Sequence, residues 1–316
     1  MFLPLLFLPL TTALPPLRLA ASLNTIEHAP LFLTLQDFYP SNYTILNGGV
    51  PNLLSTNNLS TRFDLAANAE TQGLLNYARD RDLRLIYIIV EATYRLIANN
   101  STGTIHSIAD LKGKTIATSG TASAGYFVQR MLQTGGIKPG EYTIPTGLGG
   151  CLKTPCPANS HPALLARGEA AAVGMWEPLG ELSIDTIGRE NAVVWKDKRV
   201  YREIYGLYSM KATLEDKEKR KGVVEFVRGL QIMLRRFEKE REKAIPRVSR
   251  LIGVTEDVLG RVWGDHSWVG GFPEDLVDVL VEEDEFVARL DNRTVMKREE
   301  VQGLVDLSVW DEVLRS

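Results

Sequence analysis

Residues 108–123 read IADLKGKTIATSGTAS, and this stretch decides the interpretation of the chain. One turn of helix precedes an apolar strand, Lys114 to Thr118, and small and hydroxylated residues then lead into a helix. A strand that passes directly into a helix is the building unit of α/β sheets. Free backbone N–H groups and nearby hydroxyls at such a helix start can hold an acceptor group, so we predict ligand contacts at Ser119, Gly120, Thr121, Ala122 and Ser123.

The same alternation of short apolar strands and helices extends over the first two thirds of the chain. Besides Lys114 to Thr118, the predicted strands are Leu17 to Ser22, Tyr43 to Leu46, Arg62 to Ala66, Leu83 to Val90, Arg95 to Ala98, Glu141 to Ile144, Ala170 to Met175, Ala192 to Trp195 and Tyr205 to Met210. From Leu214 onward the pattern becomes helical, with an apolar stripe at Val223, Val227, Leu230, Leu234 and Phe237. The chain is therefore predicted to be α/β, with mostly parallel sheets flanked by helices.

The composition is that of a folded protein with a large core. Of the 316 residues, 44% are hydrophobic and 24% are charged, and the formal net charge is −3. Acidic residues interrupt every run of Lys and Arg, so nothing predicts a nucleic-acid partner.

The N-terminus and the sequons predict a secreted glycoprotein. Met1 to Leu10 is apolar but too short to span a bilayer, and Thr11-Thr12-Ala13 supplies small residues for cleavage, although no Lys or Arg precedes the apolar run. We expect residues 1–13 to be a signal peptide, with a buried strand or an uncleaved anchor as the alternative. Asn-x-Ser/Thr sequons occur at Asn42, Asn58, Asn99, Asn100 and Asn292. We expect no stable membrane insertion.

Cys151 and Cys156 are the two cysteines of the chain and lie in a Gly- and Pro-rich stretch. In an oxidising compartment this spacing predicts a small disulfide-closed loop. The four histidines show no metal-ligand spacing, and no nucleotide fingerprint, Gly-x-Ser-x-Gly elbow or His-Glu-x-x-His motif occurs. We therefore predict no metal and no cofactor.

Four segments, in order, carry a resemblance to a known family. They are residues 108–123, the stretch LLARGEAAAVGMWEP at 164–178, LIGVTEDV at 251–258 and LVDLSVW at 304–310. Together they resemble the periplasmic solute-binding proteins of the sulfonate, taurine, nitrate and thiamine-precursor group. The sequons and the cysteine loop depart from the bacterial pattern.

The resemblance implies a type II periplasmic-binding-protein fold, with two lobes that each contain a mixed, mostly parallel sheet. Residues 14–113 and 205–316 would form the first lobe and residues 114–204 the second. A monomer would bind a small molecule between the lobes, where loops leave the carboxyl ends of strands.

Carboxylates recur at that predicted edge. Glu27, Glu70 and Glu91 follow strands of the first lobe, and Glu177 follows a strand of the second, whereas Lys and Arg are sparse in the same loops. This favours an amine, an aminopyrimidine or another cationic group over a sulfonate. Each Glu alone could instead be a solvated acid at a helix start. Asn24, His28, Asn68 and Thr71 would add neutral hydrogen bonds, and the face of Trp176 would stack on a planar ligand.

Four other functions were weighed against this one. Some relatives of the fold synthesise the thiamine pyrimidine with a cysteine-rich motif, which this chain lacks. Paired carboxylates could support a lyase or a dehydratase on the same scaffold. The chain could also be a secreted interaction protein without a ligand, or an organosulfonate binder. We expect a binding protein more than an enzyme.

Overall fold

The structure, a computed structural model, describes residues 14–22, 25–39, 41–54 and 62–315. The predicted signal peptide at residues 1–13, the candidate ligand residue Asn24 and the sequon at Asn58 lie outside the described residues.

Strands alternate with helices in the order that the sequence pattern predicts, with two exceptions. The predicted strand at Glu141 to Ile144 forms only an isolated bridge between Thr143 and Thr115, and a short strand after Leu214 was not predicted. The strands are β1 Leu17–Ala21, β2 Tyr43–Asn47, β3 Leu65–Ala69, β4 Leu83–Ala92, β5 Arg95–Asn99, β6 Ile116–Ala117, β7 Ala172–Met175, β8 Ala192–Trp195, β9 Glu203–Met210 and β10 His266–Ser267. The helices are α1 Ala29–Phe38, α2 Pro51–Leu54, α3 Glu70–Arg79, α4 Ser123–Thr134, α5 His161–Ala166, α6 Leu179–Ile187, α7 Lys211–Glu215, α8 Lys217–Lys239, α9 Arg241–Ile252, α10 Glu256–Val262, α11 Leu276–Leu290, α12 Arg298–Gln302 and α13 Ser308–Arg315. Short 3₁₀ helices cover Ile26–His28, Ile108–Leu111, Arg189–Asn191 and Trp263–Asp265.

The first sheet has the strand order β10-β4-β9-β3-β1-β2. β1 pairs in parallel with β2 and β3, whereas β9 runs antiparallel to β3 and β4, and β10 runs antiparallel to β4. The carboxyl ends of β1, β3 and β4 therefore share one edge with the amino ends of β9 and β10. That edge carries the pocket described below.

The second sheet has the order β6-β7-β5-β8, with β6 and β7 parallel and β5 antiparallel to both of its neighbours. Because β5 belongs to this sheet, the chain enters the second lobe between Ala92 and Arg95. The boundary predicted from the sequence, Gly113, lies further along the chain, after β5. Only Thr93 and Tyr94 separate β4 from β5, so the passage carries no turn signal in the sequence.

The helices after Leu214 pack mainly on the first lobe. α8 lies against α1, and its predicted apolar stripe is fully buried. α11 lies against α3 and also reaches α4 of the second lobe, where the rings of Phe286 and Tyr126 have centroids 5.3 Å apart. In the part of the chain that the structure describes, we find no helix with the length and apolarity that a membrane span requires.

The start of α4 lies unusually close to the loop before it. A Cβ atom on Gly125 would stand 2.4 Å from the carbonyl oxygen of Gly120 and 2.7 Å from its carbonyl carbon. Both atoms belong to the backbone and cannot rotate away. The absence of a side chain at Gly125 therefore sets how the N-terminus of α4 meets the cleft.

We predict opposite effects for two Gly→Ala substitutions within helices. Gly125→Ala should destabilise the protein, because the new methyl group would push α4 away from Gly120. Gly260→Ala in α10 is the matched control, since its Cβ would meet only the Arg241 side chain at 3.8 Å. That substitution should stabilise the protein by about 0.5–1 kcal/mol through helix propensity. Urea unfolding measures both; stabilisation by Gly125→Ala would contradict the close approach.

Candidate functional site

A pocket of about 170 Å³ lies between the two lobes at the shared strand edge, and we call it the inner pocket. Its walls come from the segments that follow β1, β3, β6 and β7 and from the start of β9. The lining residues are Ser22, Thr25, Glu27, His28, Asn68, Ala69, Thr71, Gln72, Ala122, Ser123, Trp176, Glu203 and Tyr205. Of these described residues, none is Lys or Arg.

Helix starts converge on the inner pocket. α3 begins at Glu70 and α4 at Ser123, and neither N-terminus receives a hydrogen bond from a capping side chain. The first backbone N–H groups of a helix have no partner within the helix and carry partial positive charge. These helix starts can therefore donate hydrogen bonds to acceptor atoms of a ligand.

Glu203 is the most deeply perturbed carboxyl group of the inner pocket. Its Oε1 accepts a hydrogen bond of 2.6 Å from the Tyr94 hydroxyl, whereas its Oε2 is buried and has no hydrogen-bond partner among the described residues. Burial raises the pKa of Glu203 well above its usual range, and the nearby carboxylates of Glu27 and Glu70 raise it further. The environment of Glu203 therefore favours its neutral, protonated form over the carboxylate.

Glu27 is also buried, but it faces a cation. Its Oε1 lies 3.7 Å from Nε2 of His266, and neither atom has a hydrogen-bond partner in the described part of the chain. Burial disfavours the charged form of each side chain, but the combined attraction of its partner has a larger effect on its pKa. The pKa of Glu27 is therefore lowered and the pKa of His266 is raised. The two groups form a carboxylate–imidazolium pair with a gap too long for a direct hydrogen bond.

His28 contributes a neutral polar group. Its ring lies within hydrogen-bond reach of the hydroxyls of Thr25 and Tyr205. Burial lowers the pKa of His28 to about 4, although the Glu27 charge works in the opposite direction. The imidazole is therefore uncharged at neutral pH and can act only as a hydrogen-bonding group.

Seven of the residues that we predicted from the sequence line the inner pocket: Glu27, His28, Asn68, Thr71, Ala122, Ser123 and Trp176. The Thr71 hydroxyl is buried without a hydrogen-bond partner among the described residues. The amide oxygen of Asn68 accepts a 2.8 Å hydrogen bond from the Val50 N–H, which leaves its NH₂ group for a ligand.

Three predicted glutamates do not line the pocket, because other groups neutralise or bind them. Glu177 forms a buried ion pair with Arg95 at 2.5 Å and accepts the Glu181 N–H at 2.9 Å. Glu91 pairs with Arg202 at 3.2 Å. Glu70 lies beneath the pocket and accepts hydrogen bonds from the Tyr201 hydroxyl and the Ile204 N–H, both at 2.8 Å.

The first part of the small-residue turn is also outside the inner pocket. The Ser119 carbonyl accepts the Ala122 N–H at 3.1 Å, and Gly120 packs against Gly125. Thr121 lines a separate cavity of about 140 Å³ beside Arg79. The turn curls back on itself before α4 begins, so only Ala122 and Ser123 reach the cleft.

The residues that the sequence analysis missed are Ser22, Thr25, Ala69, Gln72, Glu203 and Tyr205. Glu203 is the important omission. We searched for polar residues after strands, but β9 is antiparallel to β3, so its first residue lies at the same edge. A search of both strand ends would have found it.

Other predicted features have clear positions in the structure. Cys151 and Cys156 form a disulfide bond, as expected. Asn42 and Asn292 are exposed, whereas Asn99 and Asn100 are half-buried, and the Asn99 amide donates to the Leu165 carbonyl at 3.1 Å. No His, Cys, Asp and Glu side chains within the described ranges cluster in a way that could hold a metal ion.

Comparison with protein families identifies one region of the chain. Residues 44–149 match the family model described as NMT1/THI5 like. This stretch, about a third of the chain, is similar to the NMT1/THI5-like family. The NMT1/THI5-like region includes β3 and α3 of the inner pocket and the turn that leads into α4, so it agrees with the resemblance predicted from the sequence. No curated protein sequence matches the chain significantly.

Solved structures confirm the fold. The alkanesulfonate-binding protein SsuA from Xanthomonas axonopodis pv. citri, bound to MOPS, has a TM-score of 0.69 and 20% identity, covering 94% of this chain and 100% of its own. SsuA from Escherichia coli has a TM-score of 0.65 and 17% identity, covering 92% of both chains. The desulfurization enzyme DSZB has a TM-score of 0.62 and 13% identity, covering 95% and 99%. The chain thus has the periplasmic-binding-protein fold, which both binding proteins and an enzyme share.

We predict that His28 makes the folded state sensitive to acid. The imidazole has a pKa of about 4 when folded and about 6.5 when unfolded, so the unfolded state binds more protons between these values. The contribution of neutral His28 to the free energy of unfolding is fully present above pH 6.5. It declines by about 1.4 kcal/mol per pH unit as the pH falls towards 4. The difference in unfolding free energy between wild type and His28→Gln should therefore shrink by about 3 kcal/mol from pH 7 to pH 4. Parallel urea-derived stability curves for the two proteins would contradict this.

Proposed function

We propose that this protein is a solute-binding protein that captures a small, planar, amine-bearing molecule of the aminopyrimidine kind in the inner pocket. One observation carries the proposal. Oε2 of Glu203 is a buried carboxyl oxygen with no hydrogen-bond partner among the described residues, and its pocket has no Lys or Arg in its described lining. Oε1 of Glu27 also lacks a hydrogen bond, with the His266 ring 3.7 Å away. An unpaired buried carboxyl oxygen is costly unless a ligand supplies a donor.

The mixture of donors and acceptors favours an aminopyrimidine over a simple cation. An amine would donate to Glu203 and Glu27, while a ring nitrogen would accept from a helix-start N–H or from the NH₂ group of Asn68. The half-buried Trp176 offers a ring face for stacking. A volume of about 170 Å³ is smaller than the roughly 300–1,000 Å³ of sites for drug-sized ligands, which suits a single ring.

The same charges argue against an organosulfonate in the inner pocket. A sulfonate could accept hydrogen bonds from the helix starts, but the described lining offers no Lys or Arg to pair with its charge, and His266 already faces the Glu27 carboxylate. A bound sulfonate would also disfavour ionisation of Glu203. The protonated carboxyl group could then donate a hydrogen bond, but it would bring no positive charge to the pocket. Like charges in a desolvated pocket disfavour binding.

We also propose that the protein is secreted, glycosylated and monomeric. The Cys151–Cys156 disulfide and the exposed sequons at Asn42 and Asn292 support an oxidising, extracellular setting. The intact mass of the secreted protein before and after reduction and deglycosylation tests the processing, and sedimentation tests the oligomeric state.

We predict that amines and aminopyrimidines raise the melting temperature of the protein, because they bind only its folded state. At a ligand concentration of 100 times Kd the stabilisation is about 2.7 kcal/mol. Glu203→Gln should weaken binding about tenfold or more by removing a charge-assisted hydrogen bond. Trp176→Ala should also weaken it. Glu91→Gln and Trp195→Ala, which alter the same residue types outside the pocket, are the controls and should leave the ligand-induced shift unchanged.

The screen also separates the alternatives. Stabilisation by alkylsulfonates but not by amines would contradict the head-group assignment and favour an organosulfonate binder. If chromatography shows that a screened compound is consumed during incubation, the result would favour an enzyme that uses Glu27 and Glu203 for acid–base chemistry. Stabilisation by no small molecule would contradict the solute-binding function itself.

A further inference from the structure

A second, larger cavity of about 530 Å³ adjoins the inner pocket, and we call it the outer pocket. The two cavities share Thr25 of the first lobe and Trp176 of the second. The other residues that line the outer pocket are Gly150, Cys151, Leu152, Lys153, Pro155, Pro157, Pro178 and Leu179. Most of its wall is therefore the disulfide-closed loop.

The two pockets differ sharply in chemistry. The inner pocket presents buried carboxyl, hydroxyl, amide and imidazole groups. The outer pocket presents chiefly apolar side chains, among them Leu152, Leu179 and the rings of three prolines, with the exposed Lys153 as its charged member. A ligand that filled both would be polar at one end and apolar at the other, with Trp176 at the boundary.

Hydrogen bonds hold the disulfide-closed loop in place. Its base is closed by the Gly149 N–H, which donates to the Asn159 carbonyl at 3.0 Å, and by the Ser160 hydroxyl, which donates to the Pro157 carbonyl at 2.6 Å. Within this base the disulfide joins Cys151, itself only 3% exposed, to Cys156. A wall that is ordered before binding avoids the entropic cost of ordering it on binding.

We propose that the outer pocket is a specificity subsite, which takes an apolar group attached to the amine-bearing head that the inner pocket holds. The head-group part of this statement rests on the proposed function. The apolar part rests on the continuity of the two cavities through Thr25 and Trp176 and on the chemistry of the loop. The ligand is accordingly an amphiphilic amine or a substituted aminopyrimidine, and the disulfide loop selects its substituent.

The test uses n-propylamine, n-hexylamine and n-nonylamine, with the matching alkylsulfonates, and measures Kd by calorimetry. In the wild type, each methylene that enters the outer pocket should tighten binding about fourfold. Leu152→Asn should reduce this gain per methylene but leave the Kd of propylamine unchanged, because Leu152 does not line the inner pocket. Ala158→Ser is the matched control, since Ala158 belongs to the same loop but lines a different cavity.

A second variant protects the test against local misfolding. Cys151→Ser/Cys156→Ser opens the loop without changing Leu152, and it should also reduce the gain per methylene while propylamine still binds. An equal gain per methylene in wild type, Leu152→Asn and the double Cys variant would overturn the subsite.

The outcomes keep the subsite apart from the proposed head group. If only the sulfonates bind, and their chain-length gain is lost in Leu152→Asn, the outer pocket stands and the amine assignment fails. If propylamine binds and longer amines bind no more tightly, the amine assignment stands and the outer pocket fails. If no probe of either series binds, the outer pocket is overturned as a subsite, and the aminopyrimidines of the melting-temperature screen decide the head group.

Discussion

The buried carboxylate of Glu70 fixes where the chain returns to the first lobe, and the inner pocket depends on it. Its two oxygens accept hydrogen bonds from the Tyr201 hydroxyl and the Ile204 N–H, both at 2.8 Å. Glu203 lies between these two donors in the chain, so the same contacts set its position at the pocket wall. Burial raises the pKa of Glu70, and the adjacent Glu283 of α11 has a pKa raised well above its usual range by burial and by Glu70. The neutral forms of these two buried carboxyl groups are therefore favoured, which lessens a like-charge repulsion beneath the site.

The tyrosine at the passage between the lobes ties this arrangement to the second lobe. The hydroxyl of Tyr94 donates to Glu203 at 2.6 Å and lies 3.1 Å from the hydroxyl of Ser123 at the start of α4. One buried hydroxyl thus connects the re-entering strand with the helix start across the cleft. The ring of Tyr94 also contacts Trp176, with centroids 6.3 Å apart. Glu203, the start of α4 and the ring of Trp176 are consequently held at fixed positions relative to one another in the inner pocket.

The alternating apolar pattern was enough to predict the fold class and most strands, because buried strands and the α8 stripe leave a strong periodic signal. It could not show that β5 changes sheets, since the sequence of a strand is the same whichever sheet it joins. The site was predicted in part. Glu27 and Thr71 follow parallel strands and reach the pocket, as the rule for strand ends implies. Glu177 follows the same rule but is bound by Arg95, and that pairing depends on tertiary packing. Glu203 was missed because it precedes an antiparallel strand.

The central claim is that Glu203 is a carboxyl group that exchanges its proton for a cationic ligand. Burial raises its pKa, and an ammonium group at Oε2 would lower it, so binding should release a proton to the buffer at a pH between the two pKa values. Calorimetry of propylamine binding at pH 5, 6 and 7, in buffers of different ionisation enthalpy, counts that proton directly. The account predicts an observed enthalpy that varies linearly with buffer ionisation enthalpy, with a slope that indicates proton release and disappears in Glu203→Gln. An enthalpy that is the same in every buffer for the wild type would contradict it.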